Sequence, residues 1–181
     1  DTPATLEITP GLPARMDVTA DPAKPYYKRE ETILLERKVF DKYDNEIKNA
    51  KVKVTVTPDS PDIDKSGYPD SVSFKKDGVY ATKVAIDEKT EGDQPVEQDL
   101  TLRVDGSGPT IVVTSPKRAE MRAGSTTIAI TGKVSDTVSD VTSLKVNGKT
   151  VSVNAQGEFT SSMTAKWGLN LITVEATDKA G

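Results

Sequence analysis

The chain has 181 residues, of which 35% are hydrophobic and 5% aromatic, carries a formal net charge of −4, and contains neither cysteine nor histidine. Those two absences exclude a disulfide framework, thiolate or imidazole metal sites, a cysteine nucleophile and a Ser-His-Asp triad. The length suits two small domains with thin cores of Val, Ile, Leu and Ala rather than one enzyme-sized interior, and a cysteine-free chain is compatible with an oxidising compartment.

Period-two alternation dominates the chain, and no helical stripe exceeds two turns. In the first half, Val52, Val54 and Val56 point one way while Lys51, Lys53 and Thr55 point the other. Tyr80, Val84 and Ile86 repeat this pattern, as do Leu100, Leu102 and Val104. A slip of one residue would bury the lysines, so the register is well specified. Between Phe74 and Tyr80, Lys76-Asp77-Gly78 reads as a hairpin turn with Gly78 free to take a positive φ.

Asp105-Gly106-Ser107-Gly108-Pro109 reads as a linker, and nine of the eleven prolines precede Pro109. The sequence therefore divides into domains 1–107 and 108–181. The first holds 22 acidic and 16 basic side chains (−6) and the second 6 and 8 (+2). Neither carries the basic stripe of a nucleic-acid binder, and no apolar run reaches the length of a membrane span, so neither nucleic-acid binding nor direct membrane insertion is expected.

The second half resumes with strands at Thr110-Ile111-Val112-Val113 and at Thr127 to Val134. Leu144 and Val146 lead into Asn147-Gly148, the strongest short hairpin signal in the chain, and Val151 and Val153 return. Gln156-Gly157 makes the next turn before Phe159, and Ile172, Val174 and Ala176 share one face of the last strand. Strands at this spacing, separated by turn signals, predict an all-β chain of two tandem antiparallel β-sandwiches.

Particular motifs carry a resemblance. The run from Thr9 to Val18, with Pro10-Gly11-Leu12-Pro13-Ala14 at its centre, resembles the start of an invasin- or intimin-type bacterial immunoglobulin-like repeat. The turn Asp41 to Ile47 is similar to that family's "D-x-x-G-N-x-V" element, with Asp44 where glycine is usual, and Asp77-Gly78-Val79-Tyr80 fits its late "D-G-x-Y" element. The second half resembles another bacterial immunoglobulin-like type, found in surface proteins and in secreted glycan-degrading enzymes. Its marks are Ile130 to Val134, Val146-Asn147-Gly148, Gly168 to Val174 and Ala176 to Gly181.

The resemblance implies immunoglobulin-like folds and an extracellular or cell-surface setting. Other immunoglobulin-like modules of the same chain are the expected partners, with a cell-surface protein or a glycan as further ones. It also implies that Thr5 to Thr9, within residues 1–10, closes a preceding module, and that the second module lacks a final strand. The opening Asp1-Thr2-Pro3 is no signal peptide, so an export signal is expected elsewhere.

No catalytic residue stands out. Asp41, Asp44 and Glu46, and Asp59, Asp62 and Asp64, form acidic turns in polar loops, where solvated charge is the ordinary outcome; acid–base work would need a cleft that raises one pKa. No metal or other cofactor is expected: Asp136, Asp140 and Asp178 are calcium candidates near module ends, but their spacing matches no calcium loop and aspartate is a good turn residue by itself, which is the favoured reading. Trp167, the only tryptophan, is expected to fill the second core; if exposed, it is a candidate for stacking on a sugar or anchoring a protein contact. Tyr26 and Tyr27, beside Lys24, Lys28 and Arg29, form the other aromatic candidate, of which a regular strand can expose one at most. The expected role is a non-catalytic spacer that presents a functional part away from the cell. An adhesive or glycan-binding module, or an accessory region of a secreted glycan-active enzyme, is the alternative.

Overall fold

The computed structural model describes residues 9–117 and 126–181, so the strand expected at Thr5 to Thr9 lies almost wholly outside the described residues. The fold is all-β, and the chain divides into two compact units, Asp1–Val104 and Asp105–Gly181.

The first unit contains β1 (Arg15–Asp21), β2 (Ile33–Phe40), β3 (Val52–Thr57), β4 (Ile63–Asp64), β5 (Ser71–Phe74), β6 (Gly78–Ile86) and β7 (Glu97–Val104). Two antiparallel sheets result, with strand orders β1-β2-β5-β4 and β3-β6-β7. The alternation read from the sequence sets which faces meet: Val54 and Val56 of β3, Tyr80 and Val84 of β6, and Leu102 and Val104 of β7 are buried against Met16, Val18, Ile33, Leu35, Val72 and Phe74 of the opposite sheet. Lys53 and Thr55 stay in solvent.

Two turn positions explain their residue types. Asp44 has φ 63°, a left-handed conformation that favours glycine and tolerates aspartate, which accounts for the glycine usual there in the resembling family. Gly78, by contrast, does not adopt a positive φ, contrary to the expectation for its turn. Its missing side chain leaves room for the Tyr80 ring, whose edge lies 3.3 Å from where a Cβ would stand. That ring stacks on Phe74 at a centroid distance of 4.1 Å and its hydroxyl donates to the Lys76 carbonyl at 2.8 Å.

The second unit contains β8 (Thr110–Ser115), β9 (Thr127–Ser135), β10 (Val141–Val146), β11 (Lys149–Thr150), β12 (Glu158–Thr164) and β13 (Val174–Asp178). Its sheets have orders β11-β10-β13 and β12-β9-β8. Ile130, Val134, Leu144, Val146 and Phe159 form the core, with Ile172, Val174 and Ala176 packed beside them. The Asn147-Gly148 turn has φ 49° and 75°, the left-handed pair a tight two-residue hairpin requires. Gly132 answers a different need: a Cβ there would stand 2.5 Å from the Val112 carbonyl and 2.6 Å from the Phe159 ring, so the close approach of β8 and β9 over that ring depends on glycine. No helix among the described residues is long and apolar enough to cross a membrane.

Candidate functional site

In the acidic turns of the first unit, Asp41, Asp59, Asp62 and Asp64 are engaged by nearby groups. Asp41 is buried, and its Oδ1 accepts from the backbone N–H of Tyr43 at 2.8 Å and of Asn45 at 3.0 Å. Its Oδ2 accepts from the Asn45 side-chain amide and from the Gly11 N–H, each at 2.9 Å. The Asn45 amide first, and then the Gly11 N–H, hold this carboxyl far below the ordinary carboxylate range. Asp59 pairs with Lys65 at 2.5 Å, which lowers its pKa, and Asp64 is lowered by accepting the Ser66 N–H. Asp62 sits beside Ser60, whose hydroxyl is 3.2 Å away. The depression that Asp59, Ser60, Pro61, Ile63 and Lys65 line is open to solvent, and Asp41, Asp59 and Asp64 are lowered rather than raised as an acid catalyst requires.

The aromatic candidates part company. Tyr27 is a core residue: its backbone N–H donates to the Arg103 carbonyl at 2.8 Å and its hydroxyl to the Pro22 carbonyl at 2.9 Å, so it does not face a ligand. Tyr26 is half-buried. Trp167 reverses the expectation of burial, being fully exposed at 105% relative accessibility, and Leu169 beside it reaches 99%. The cause is local. Gly168 takes φ 92°, and the Asn170 side chain clamps the loop, accepting the Lys166 N–H at 2.9 Å and donating to the carbonyls of Lys166 and Gly168 at 2.8 and 3.1 Å. This closed turn projects Trp167 outward, while Phe159 takes the place in the core that the tryptophan was expected to fill.

In the second unit, three aspartates meet. One carboxylate oxygen from each of Asp105, Asp136 and Asp178 lies within 4.8 Å of the others. Asp136 follows β9 directly, Asp178 closes β13, and Asp105 opens the unit. Backbone amides orient two of them: Oδ1 of Asp136 accepts from Val138 and Ser139 at 2.8 and 2.9 Å, and Oδ1 of Asp178 accepts from Ala180 and Gly181 at 2.8 and 2.7 Å. Two carboxylates this close repel by roughly 3 kcal/mol at an effective dielectric of about 20, so the arrangement calls for compensating positive charge.

Two of the three calcium candidates drawn from the sequence, Asp136 and Asp178, are thus brought together. Asp140 is not with them; its carboxylate pairs with Lys179 at 2.6 Å, which lowers its pKa. Asp105 was missed because the glycines and serine after it read as a linker. The available signal was its position: like Asp136 and Asp178, it stands at the end of a strand.

A family model described as "Glucodextranase, domain B" matches residues 109–181, less than half of the chain. The second unit is therefore similar to that domain in sequence as well as immunoglobulin-like in fold. No curated protein sequence matches the chain. Among solved structures, the chain is similar to the fibronectin(III)-like modules of Clostridium thermocellum CbhA, with 19% identity, 90% of this chain and 86% of that one covered, and a TM-score of 0.34. It is also similar to the Escherichia coli adhesin FdeC (13% identity, 92% and 60% covered, TM-score 0.49). A third similarity is to the Yersinia pseudotuberculosis adhesin InvE (16% identity, 92% and 56% covered, TM-score 0.34). The chain spans less than two thirds of the length of either adhesin structure.

Proposed function

We propose that the chain is a non-catalytic spacer segment of a bacterial secreted or cell-surface protein, presenting a functional part of that protein away from the cell. The observation that carries this reading is the use made of the loop carboxylates: Asp41 spends both oxygens on donors of its own turn and on the Gly11 N–H, and Asp59 is neutralised by Lys65. Groups of the kind that do acid–base chemistry elsewhere serve here to fix loops between strands. Both interiors are filled with aliphatic and aromatic side chains.

One observation favours a second reading, an accessory module beside a glycan-active catalytic domain. The unit that matches domain B of glucodextranase is also the one that holds Trp167 in solvent on a clamped loop, with its ring free to stack on a sugar face. A glycan-array screen of the folded chain and of Trp167→Ala separates the two. The spacer reading expects no specific signal from either protein; signal present in the wild type and lost in the variant replaces it with the accessory reading.

A further inference from the structure

We propose that Asp105, Asp136 and Asp178 form a calcium site within the second unit. The proposal is independent of whether the chain acts as a spacer or as a glycan-binding accessory. It rests on two observations. The first is the convergence of three carboxylate oxygens, supplied from the start of the unit and from the ends of β9 and β13, within 4.8 Å of one another. The second is the state of Asp105. This side chain is only 2% exposed, yet its Oδ2 has no hydrogen-bond partner among the described residues. A buried carboxylate oxygen with no donor is costly, and here it belongs to a residue whose carboxylate lies close to two others.

The chemistry of the donors selects the ligand. The chain has no histidine or cysteine, and three carboxylates are hard oxygen donors suited to a hard divalent ion. Oxygens on opposite sides of a calcium ion lie roughly 4.6–5.2 Å apart, twice the usual calcium–oxygen distance, against about 4.0–4.2 Å for magnesium. Oxygens within 4.8 Å of one another can share one ion of either size; a set of three carboxylates favours calcium, since magnesium is usually held by one or two carboxylates and keeps several waters. Because Asp136 and Asp178 are each held through Oδ1 by two backbone amides, their second oxygens can coordinate without the loops rearranging. Asp136 is the partly exposed member and gives the ion access from solvent, with water completing the coordination sphere. In the same loop the Ser139 hydroxyl is also buried without a partner among the described residues, a further oxygen close in sequence to Asp136.

The test is calorimetric titration of the chelator-treated 181-residue chain with calcium chloride and, separately, magnesium chloride, paired with thermal unfolding in calcium and in chelator. Wild type is expected to bind one calcium more tightly than magnesium, and its second unit to melt at a higher temperature in calcium. Asp105→Asn should weaken calcium binding at least tenfold, while Asp140→Asn leaves it unchanged. The variant also distinguishes a cation site from a merely structural role. Removing one of three mutually repelling charges should make Asp105→Asn at least as stable as wild type in chelator, yet less stable than wild type in calcium. If Asp105→Asn does not fold, Asp136→Asn carries the same expectations. No calcium heat and no thermal shift with a folded wild type would overturn the proposal, as would equal loss of binding in Asp140→Asn.

Discussion

Gln98 on β7 hydrogen-bonds both backbone groups of Val18 on β1: its Oε1 accepts the Val18 N–H at 2.8 Å and its Nε2 donates to the Val18 carbonyl at 3.0 Å. The two strands belong to different sheets, so one amide side chain does across the edge of the sandwich what a neighbouring strand does within a sheet. Val18 is itself 2% exposed, and losing the amide leaves its N–H and carbonyl unpaired at the rim of the core. Gln98→Ala is expected to destabilise the first unit by about 1–3 kcal/mol, read as a lower urea midpoint. Gln98→Glu keeps an acceptor but loses the donor, and should fall between the two.

Asp41 ties Gly11, at the start of the first sandwich, to the turn after β2. Its pKa is depressed in the folded state, so the folded form holds its charge where the unfolded form takes up a proton. The stabilisation is therefore complete above the ordinary aspartate pKa near 4 and is lost progressively as the pH falls toward the lower folded value. Asp41→Asn should lower the thermal midpoint of the first unit at pH 7 and flatten its decline between about pH 4 and pH 2. Asp44→Asn, on the exposed side of the same turn, should do neither. Thermal unfolding followed by circular dichroism across that pH range checks the prediction.

Thr82 is fully buried between Tyr80 and Val84 on the inner face of β6, and its hydroxyl has no hydrogen-bond partner among the described residues. Thr82→Val replaces that hydroxyl with a methyl of nearly the same shape and removes an unmet desolvation cost. It should raise the stability of the first unit by about 1 kcal/mol, measured by urea denaturation. A loss of that size would mean the hydroxyl is satisfied in solution.

Since Trp167 stands in solvent, its fluorescence in the native chain should resemble that of the unfolded chain, and denaturation should shift the emission maximum little. Trp167→Ala should change stability by no more than about 0.5 kcal/mol, whereas Ile130→Ala, at a site with no exposure, should cost about 2–5 kcal/mol. A blue-shifted native emission would return the tryptophan to the core.

The strands and most of their inward faces were legible because alternation and turn chemistry are local properties. Val54 and Val56 point inward because Lys53 and Thr55 cannot, and Asn147-Gly148 forms its turn because both residues tolerate a positive φ. What escaped the sequence depends on how distant segments meet. Whether Trp167 fills a core or leaves it is decided by the Asn170 clamp and by Phe159 already occupying the interior. Tyr27 is buried where an isolated backbone bridge sets it beside Val104, a pairing that nothing near Tyr27 announces. The aspartate cluster was half visible. Asp136 and Asp178 looked like turn residues and are also that, since each caps two backbone amides, but only the folding of β9 and β13 toward the start of the unit brings Asp105 to them.

The spacer reading is tested most directly by exchange of the segment itself. In the parent protein, residues 9–181 would be replaced by two unrelated β-sandwich modules of similar length, and the activity of the part they present would be measured on intact cells or secreted protein. A spacer predicts activity within about twofold of the parent, because length and rigidity are what it supplies. Loss of activity in a protein that is folded and exported normally would show that the side chains of this segment make contacts of their own, and would contradict the spacer account.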